Sequence, residues 1–176
     1  AEGDKPGGRG KLFMGEVDGK VRERTRQIAQ LFERSRILVS LEADIVGWLR
    51  YHFAFVGPTA GIVFKHDRDM KAVARNKKAL HEYCQACREA GDVLQQIGYK
   101  KRQPFIFNLY YWLPRWLEPP IFAKLFGSAD SEVKFGLHAD TCGPEMSGLS
   151  EEFRNLKAKA GLDTPTLDEL LTYMPT

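Results

Sequence analysis

Residues 42–64, EADIVGWLRYHFAFVGPTAGIVF, constrain this chain more than any other stretch. From Phe53 to Phe64 no residue is charged, so a helix here has no face left for water. A helix that is apolar all round is a buried one. Ser40, Glu42 and Asp44 stand before it as capping candidates. The uncharged run from Tyr51 to Phe64 is shorter than the ~20 residues that a bilayer crossing needs, which predicts the central helix of an α-domain rather than a membrane span. Gly57-Pro58 interrupts the run and predicts a kink with freed carbonyl groups. Arg50 and His52 bring ionisable groups next to this core.

The 176 residues are enough for a sizeable core in about one domain. A net charge of +3, evenly interspersed, gives no basic face and argues against a nucleic-acid partner. Three cysteines, an odd number, point to a reducing compartment rather than a disulfide framework. With no signal peptide and no membrane span, the expected location is cytoplasmic, with no membrane partner. The opening AEGDKPGGRGKLFMGEVDG has the character of a linker that enters a fold midway, which predicts a fragment of a longer protein. Gly7, Gly8 and Gly10 do not form a nucleotide loop, because no strand precedes them and no helix follows directly.

Along the chain, Lys11 to Gly15 is expected as a short strand closed by the turn pair Asp18-Gly19. Val21 to Arg34 sets Val21, Ile28, Leu31 and Phe32 on one face of an amphipathic helix. Ile37 to Ser40 is extended. Met70 to Ile97 carries the longest helical pattern, with Val73, Leu80, Cys84, Cys87, Ala90 and Leu94 on one packing side and Gly98 at its end. Pro144 suits the first turn of a helix that Met146, Leu149, Phe153, Leu156 and Ala160 continue to Gly161, and Thr164-Pro165 opens a last one.

Two features invite chemistry. Cys84-x-x-Cys87 with His81 one turn earlier has metal-ligand residue types, but three side chains on consecutive turns of one helix fan out from any common point, and no metal is expected. Buried free cysteine in a core is the plainer account. Tyr99 to Phe126 interleaves aromatic and basic residues with prolines at 104, 114, 119 and 120. A base-stacking surface or a membrane-interface helix fits that composition, as does a kinked helical pair folded over the core or against a second subunit. Glu145 falls in the first turn of its helix, where a carboxylate complements the macrodipole.

The pattern H-A-x-x-x-x-x-E-M-x-x-L-x-x-E-F from His138, followed by A-G-L-D-T-P-T-L-D-E-L-L, resembles the C-terminal end of the ketopantoate reductase (2-dehydropantoate 2-reductase) family. The resemblance reaches back through W-L-R-Y-H at Trp48 to His52 and G-E-V-D-G at Gly15 to Gly19. It implies an NADPH-dependent, two-domain reductase of 2-oxo acids. In such a protein this chain would be the all-α substrate and dimerisation domain, similar to the C-terminal domain of 6-phosphogluconate dehydrogenase. Residues 1–19 would then be a linker and the last strand of a missing Rossmann domain, and residues 20–176 the helical domain. The fragment alone would be inactive and would bind no cofactor. A homodimer is implied.

By the same resemblance, Glu145 matches the glutamate that bonds the substrate hydroxyl, and Arg50 stands where the family has its proton-donating lysine. A guanidinium stays charged at neutral pH, so Arg50 is suited to bind a carboxylate or polarise a carbonyl rather than to give up a proton. His52 titrates in the useful range and completes the expected substrate set, although it projects from a different helix face. The family's asparagines one and two turns further on fall at Ala54 and Pro58. The alternative is a non-catalytic, reductase-like helical domain that binds a small acid or a protein partner.

Overall fold

The computed structural model describes residues 11–128 and 143–174, with the side chains of 143–146 outside that description. The chain is mostly helical, with a two-stranded parallel sheet near its start. Two compact units divide at Leu49–Arg50. Cutting the sequence at residue 19 would therefore separate elements that pack together.

The first unit is a β-α-β arrangement. Strand β1 (Lys11–Met14) and strand β2 (Leu38–Leu41) pair in parallel, with Lys11 opposite Leu38 and Met14 opposite Leu41, and helix α1 (Glu23–Arg34) connects them. Gly19, at φ +74°, closes the turn that follows β1. Glu16 then ties this turn to the start of α1. It accepts from Thr25 Oγ1 at 2.6 Å and from Arg24 Nε at 2.8 Å. The Arg24 hydrogen bond, with that from Thr25, lowers the Glu16 carboxyl to about 2. The apolar stripe of α1 is not a core face: Leu31 is 61% exposed, Ile28 and Phe32 are also exposed, and Thr25 and Ala29 are the buried residues. On the strands, Phe13 stacks on Trp48 at 4.3 Å between ring centroids, while Leu38 and Leu41 are exposed.

Helix α2 (Ile45–Lys65) carries the unit boundary within it. Asp44 begins it by accepting from the Gly47 backbone N–H at 2.9 Å. In the second unit it is the expected buried helix, with residues 57–63 all enclosed. The helix continues across Pro58, beside which the Thr59 hydroxyl donates to the Phe55 carbonyl at 2.8 Å.

The long helix expected over 70–97 is two helices, α3 (Met70–Arg75) and α4 (Lys77–Gln96). Asn76 breaks it, because its side-chain oxygen accepts from the backbone N–H groups of Lys78 and Ala79 and so caps a new start. Helix α4 also packs more broadly than on one side, burying Tyr83, Ala86, Glu89 and Gly91 beside the residues expected. Two 3₁₀ turns, Phe105–Asn108 and Arg115–Leu117, flank the single-turn helix α5 (Leu109–Trp112) and lead into α6 (Glu118–Phe126). The prolines there cut the segment shorter than a helical pair. Pro119 and Pro120 suit the first turn of α6, where no N–H partner is lost.

Helices α7 (Gly143–Ala160) and α8 (Pro165–Leu171) complete the unit. Phe153 and Leu156 of α7 and Leu167, Leu170 and Leu171 of α8 join the core built on α2 and α4. Among the described residues, no helix is long and apolar enough to cross a membrane.

Candidate functional site

Polar side chains gather at two places in the helical unit. The first surrounds Arg50 on α2. Its guanidinium lies over the Tyr99 ring, 4.6 Å from the centroid, and donates to the Tyr99 hydroxyl. Tyr99 is itself held in place, because the Tyr51 hydroxyl donates to its carbonyl at 2.7 Å. Burial raises the Tyr51 phenol above its ordinary pKa and keeps it a donor. On the other side, Arg50 Nη2 is 4.0 Å from a carboxylate oxygen of Glu152 on α7. Glu152 is 58% exposed and Arg50 26% exposed, so this contact is weak and solvent-screened, and a competing carboxylate would displace little.

Of the other expected residues, His52 is exposed on α2. It lies about 200° around the helix from Arg50, so the two side chains start out in different directions. Glu145 belongs to the first turn of α7, and its side chain lies outside the described residues. It stands seven positions before Glu152, or about 10 Å along the helix axis.

The second place centres on Glu118, which sequence reasoning did not single out. Glu118 opens α6 and is fully buried. Oε1 accepts from Arg88 Nη1 at 2.5 Å, and Oε2 faces His81 Nδ1 at 2.8 Å. Arg88 Nη1 also donates to the Tyr110 carbonyl at 2.9 Å. His81 and Arg88 are seven apart on α4 and share a stripe, which is why both reach one carboxylate. Gln85 lies on the same stripe between them, and its Oε1 accepts from Arg88 Nε at 3.4 Å and from Arg115 Nη2 at 3.3 Å. An ionised carboxylate accepts only, so in the neutral imidazole the proton sits on Nδ1 and Nε2 is left as an acceptor. The legible signal was three polar residues, His81, Gln85 and Arg88, spaced i, i+4, i+7 on one stripe of an amphipathic helix. Beside them opens a cleft of about 570 Å³, to which His81, Gln85, Arg115 and Trp116 contribute.

Cys84 and Cys87 belong to neither place. Both are free and fully enclosed. Burial pushes the Cys87 thiol up to about 12 and raises Cys84 as well, which disfavours the thiolate that metal binding or redox exchange requires. Among the described residues, no group of three His, Cys, Asp or Glu side chains is placed to hold a metal ion.

Between β1 and α1 the chain reads GEVDGKVR, which is not the G-x-G-x-x-G turn of a dinucleotide fold.

No family model, curated protein or solved structure matches this chain.

Proposed function

We propose that this chain is the helical substrate and dimerisation part of a ketopantoate reductase-like, NADPH-dependent 2-oxo acid reductase, with a fold similar to the C-terminal domain of 6-phosphogluconate dehydrogenase. The observation that carries the reading is the first unit. Parallel sheets are found with both faces covered, and a two-stranded sheet is marginal alone, yet β1-α1-β2 leaves Ile28, Leu31, Phe32, Leu38 and Leu41 exposed. Such a unit has the character of one edge of a larger parallel sheet. In this reading the nucleotide domain lies outside the sequence and supplies the cofactor and its hydride, and two copies of the helical unit associate.

Arg50 is the substrate anchor of the proposal. A 2-oxo acid carboxylate would take the place of Glu152 against the guanidinium, which Tyr99 keeps oriented. Glu145 would bond the hydroxyl formed on reduction, and His52 would lie at the margin of the substrate.

Titration of the chain with ketopantoate, followed by backbone amide NMR shifts, tests the binding half. Shifts clustered around Arg50 and Tyr99 that vanish in Arg50→Ala are expected. Saturable binding that survives Arg50→Ala would refute the anchor. Sequencing the DNA upstream of the Ala1 codon tests the other half, since an in-frame strand followed by G-x-G-x-x-G is required.

A second reading, a reductase-like domain that binds a protein partner, is favoured by one observation. Phe105, Ile106, Trp112 and Trp116 are all more than half exposed within one short segment. Ketopantoate binding absent from both this chain and its longer form would favour that alternative.

A further inference from the structure

We infer that the cleft beside His81 is a binding site for a small organic anion with a planar, apolar body, separate from Arg50 and independent of the reductase reading. The imidazole supplies the first argument. Glu118 is buried but already neutralised by Arg88 at 2.5 Å, so His81 is not required for its charge balance. What the 2.8 Å contact from His81 Nδ1 does is fix the ring and its tautomer, leaving Nε2 as the acceptor of a residue that lines the cleft. With a side chain 41% exposed, this ring is held on one edge and accessible on the other.

Charge supplies the second argument. The cleft is lined by Lys65, Lys78 and Arg115 against Glu82 and Glu169, an excess of one positive charge. Lys65 is already committed: Glu82 and Glu169 both accept from its ammonium, and together they outweigh the burial that would lower its pKa, so it is raised. The excess therefore falls on Lys78 and Arg115. Among the described residues neither forms an ion pair: the Arg115 guanidinium donates to the neutral Gln85 side chain at 3.3 Å, and Lys78 acts on Glu169 only as a more distant charge, behind Lys65. A guanidinium and an ammonium at the wall of one cleft each offer a partner to carboxylate or phosphate.

Trp116 adds a planar wall to the cleft. It is 75% exposed, yet it lines this cleft directly next to Arg115. An indole presented at the wall of a cationic cleft offers a planar apolar surface that stacks on a ring while the neighbouring cation holds the acid group. The three contributions describe one ligand: an acid group on Arg115 and Lys78, a flat body on Trp116, and an O–H or N–H reaching His81 Nε2.

The probes are phenyl phosphate, 4-hydroxybenzoate, inorganic phosphate and benzyl alcohol, titrated into the full chain and followed by amide NMR shifts and by tryptophan emission, with Trp112→Phe as background. The two aromatic anions are expected to bind at millimolar or better affinity, with shifts at His81, Gln85 and Trp116. Arg115→Ala with Lys78→Ala is expected to weaken them by about tenfold or more. Trp116→Leu is expected to weaken phenyl phosphate but not inorganic phosphate, and His81→Phe to weaken 4-hydroxybenzoate. Lys78, Arg115 and Trp116 are exposed and His81 is partly so, and unchanged circular dichroism will verify folding of all four variants. Absence of saturable shifts with every probe overturns the site, as does binding indifferent to Arg115, Lys78 and Trp116. Benzyl alcohol binding as well as the anions overturns the charge argument. None of these outcomes depends on Arg50 or ketopantoate.

Discussion

Gly61 and Gly148 are both helical glycines, and the same substitution should move stability in opposite directions at the two. A Cβ at Gly61 on α2 would lie 2.6 Å from the Leu170 carbonyl oxygen, 2.8 Å from Leu170 Cβ and 2.9 Å from its carbonyl carbon. Two of these neighbours are backbone, so no side-chain rotation relieves the clash. Normal contact lies near 3.5 Å, which requires α8 to move away by roughly 1 Å. That movement would disturb the packing of Leu167, Leu170 and Leu171, all buried in the core. Overpacking of this kind costs about 1–3 kcal/mol, and the upper end applies where backbone meets backbone. Alanine regains about 1 kcal/mol of helix propensity over glycine. Gly61→Ala should therefore lose about 2 kcal/mol, or about 4–8 °C in Tm. At Gly148 on α7 an added Cβ meets nothing within 4 Å, so the propensity gain stands nearly alone and Gly148→Ala should gain up to about 1 kcal/mol. Urea unfolding followed by far-UV circular dichroism measures both. A Gly61→Ala midpoint at or above the parent's would refute the close approach of α2 and α8.

Glu89 on α4 is buried and its Oε2 accepts from the Leu167 backbone N–H at 2.8 Å, so Glu89→Ala should orphan a first-turn donor of α8. A loss of about 1–3 kcal/mol in urea unfolding is expected, with Glu89→Gln losing less because it keeps an acceptor. Glu16, lowered to about 2 in the folded chain from 4.5, stabilises the first unit fully above pH 4.5 and progressively less as pH falls toward 2. Glu16→Gln should flatten that part of the pH dependence of amide exchange in α1, and an unchanged slope would show that the carboxylate is not linked to folding. In a Cys142→Ser background, Cys84 and Cys87 should react with a thiol reagent no faster than the chain unfolds, since both are enclosed and their thiolates disfavoured by burial. Rapid labelling of the folded chain would contradict that core placement.

Much of the helical unit was legible because its signals are local or periodic. The run from Phe53 to Phe64 has no polar face to expose, and it is buried as a helix. Gly161, at φ +65°, ends α7 where the apolar rhythm stops, and Pro165 starts α8. The break at Asn76 was missed because apolar spacing carries across a cap whose effect lies in one side-chain oxygen. The stripe on α1 was misleading for a different reason. Periodicity identifies which residues share a face, not whether anything covers that face, and Ile28, Leu31 and Phe32 share one that remains exposed.

The same distinction governs the two polar places. Arg50 was found through a resemblance in sequence, but its physical setting depends on Tyr99 and Glu152, which lie 49 positions away in one case and on another helix in the other. No spacing rule connects them. Glu118 is harder still, because a charged residue between a leucine and two prolines reads as solvated, and its burial becomes tolerable only when Arg88 arrives from α4 to neutralise it, with His81 hydrogen-bonded to its second oxygen. A buried carboxylate without those partners would cost several kcal/mol, so the fold could not keep Glu118 enclosed unless α4 and α6 met in this register. The carboxylate therefore acts on both sides at once. It locks α6 onto α4 through Arg88, and through His81 it gives the cleft a fixed imidazole edge that a mobile surface histidine would not provide.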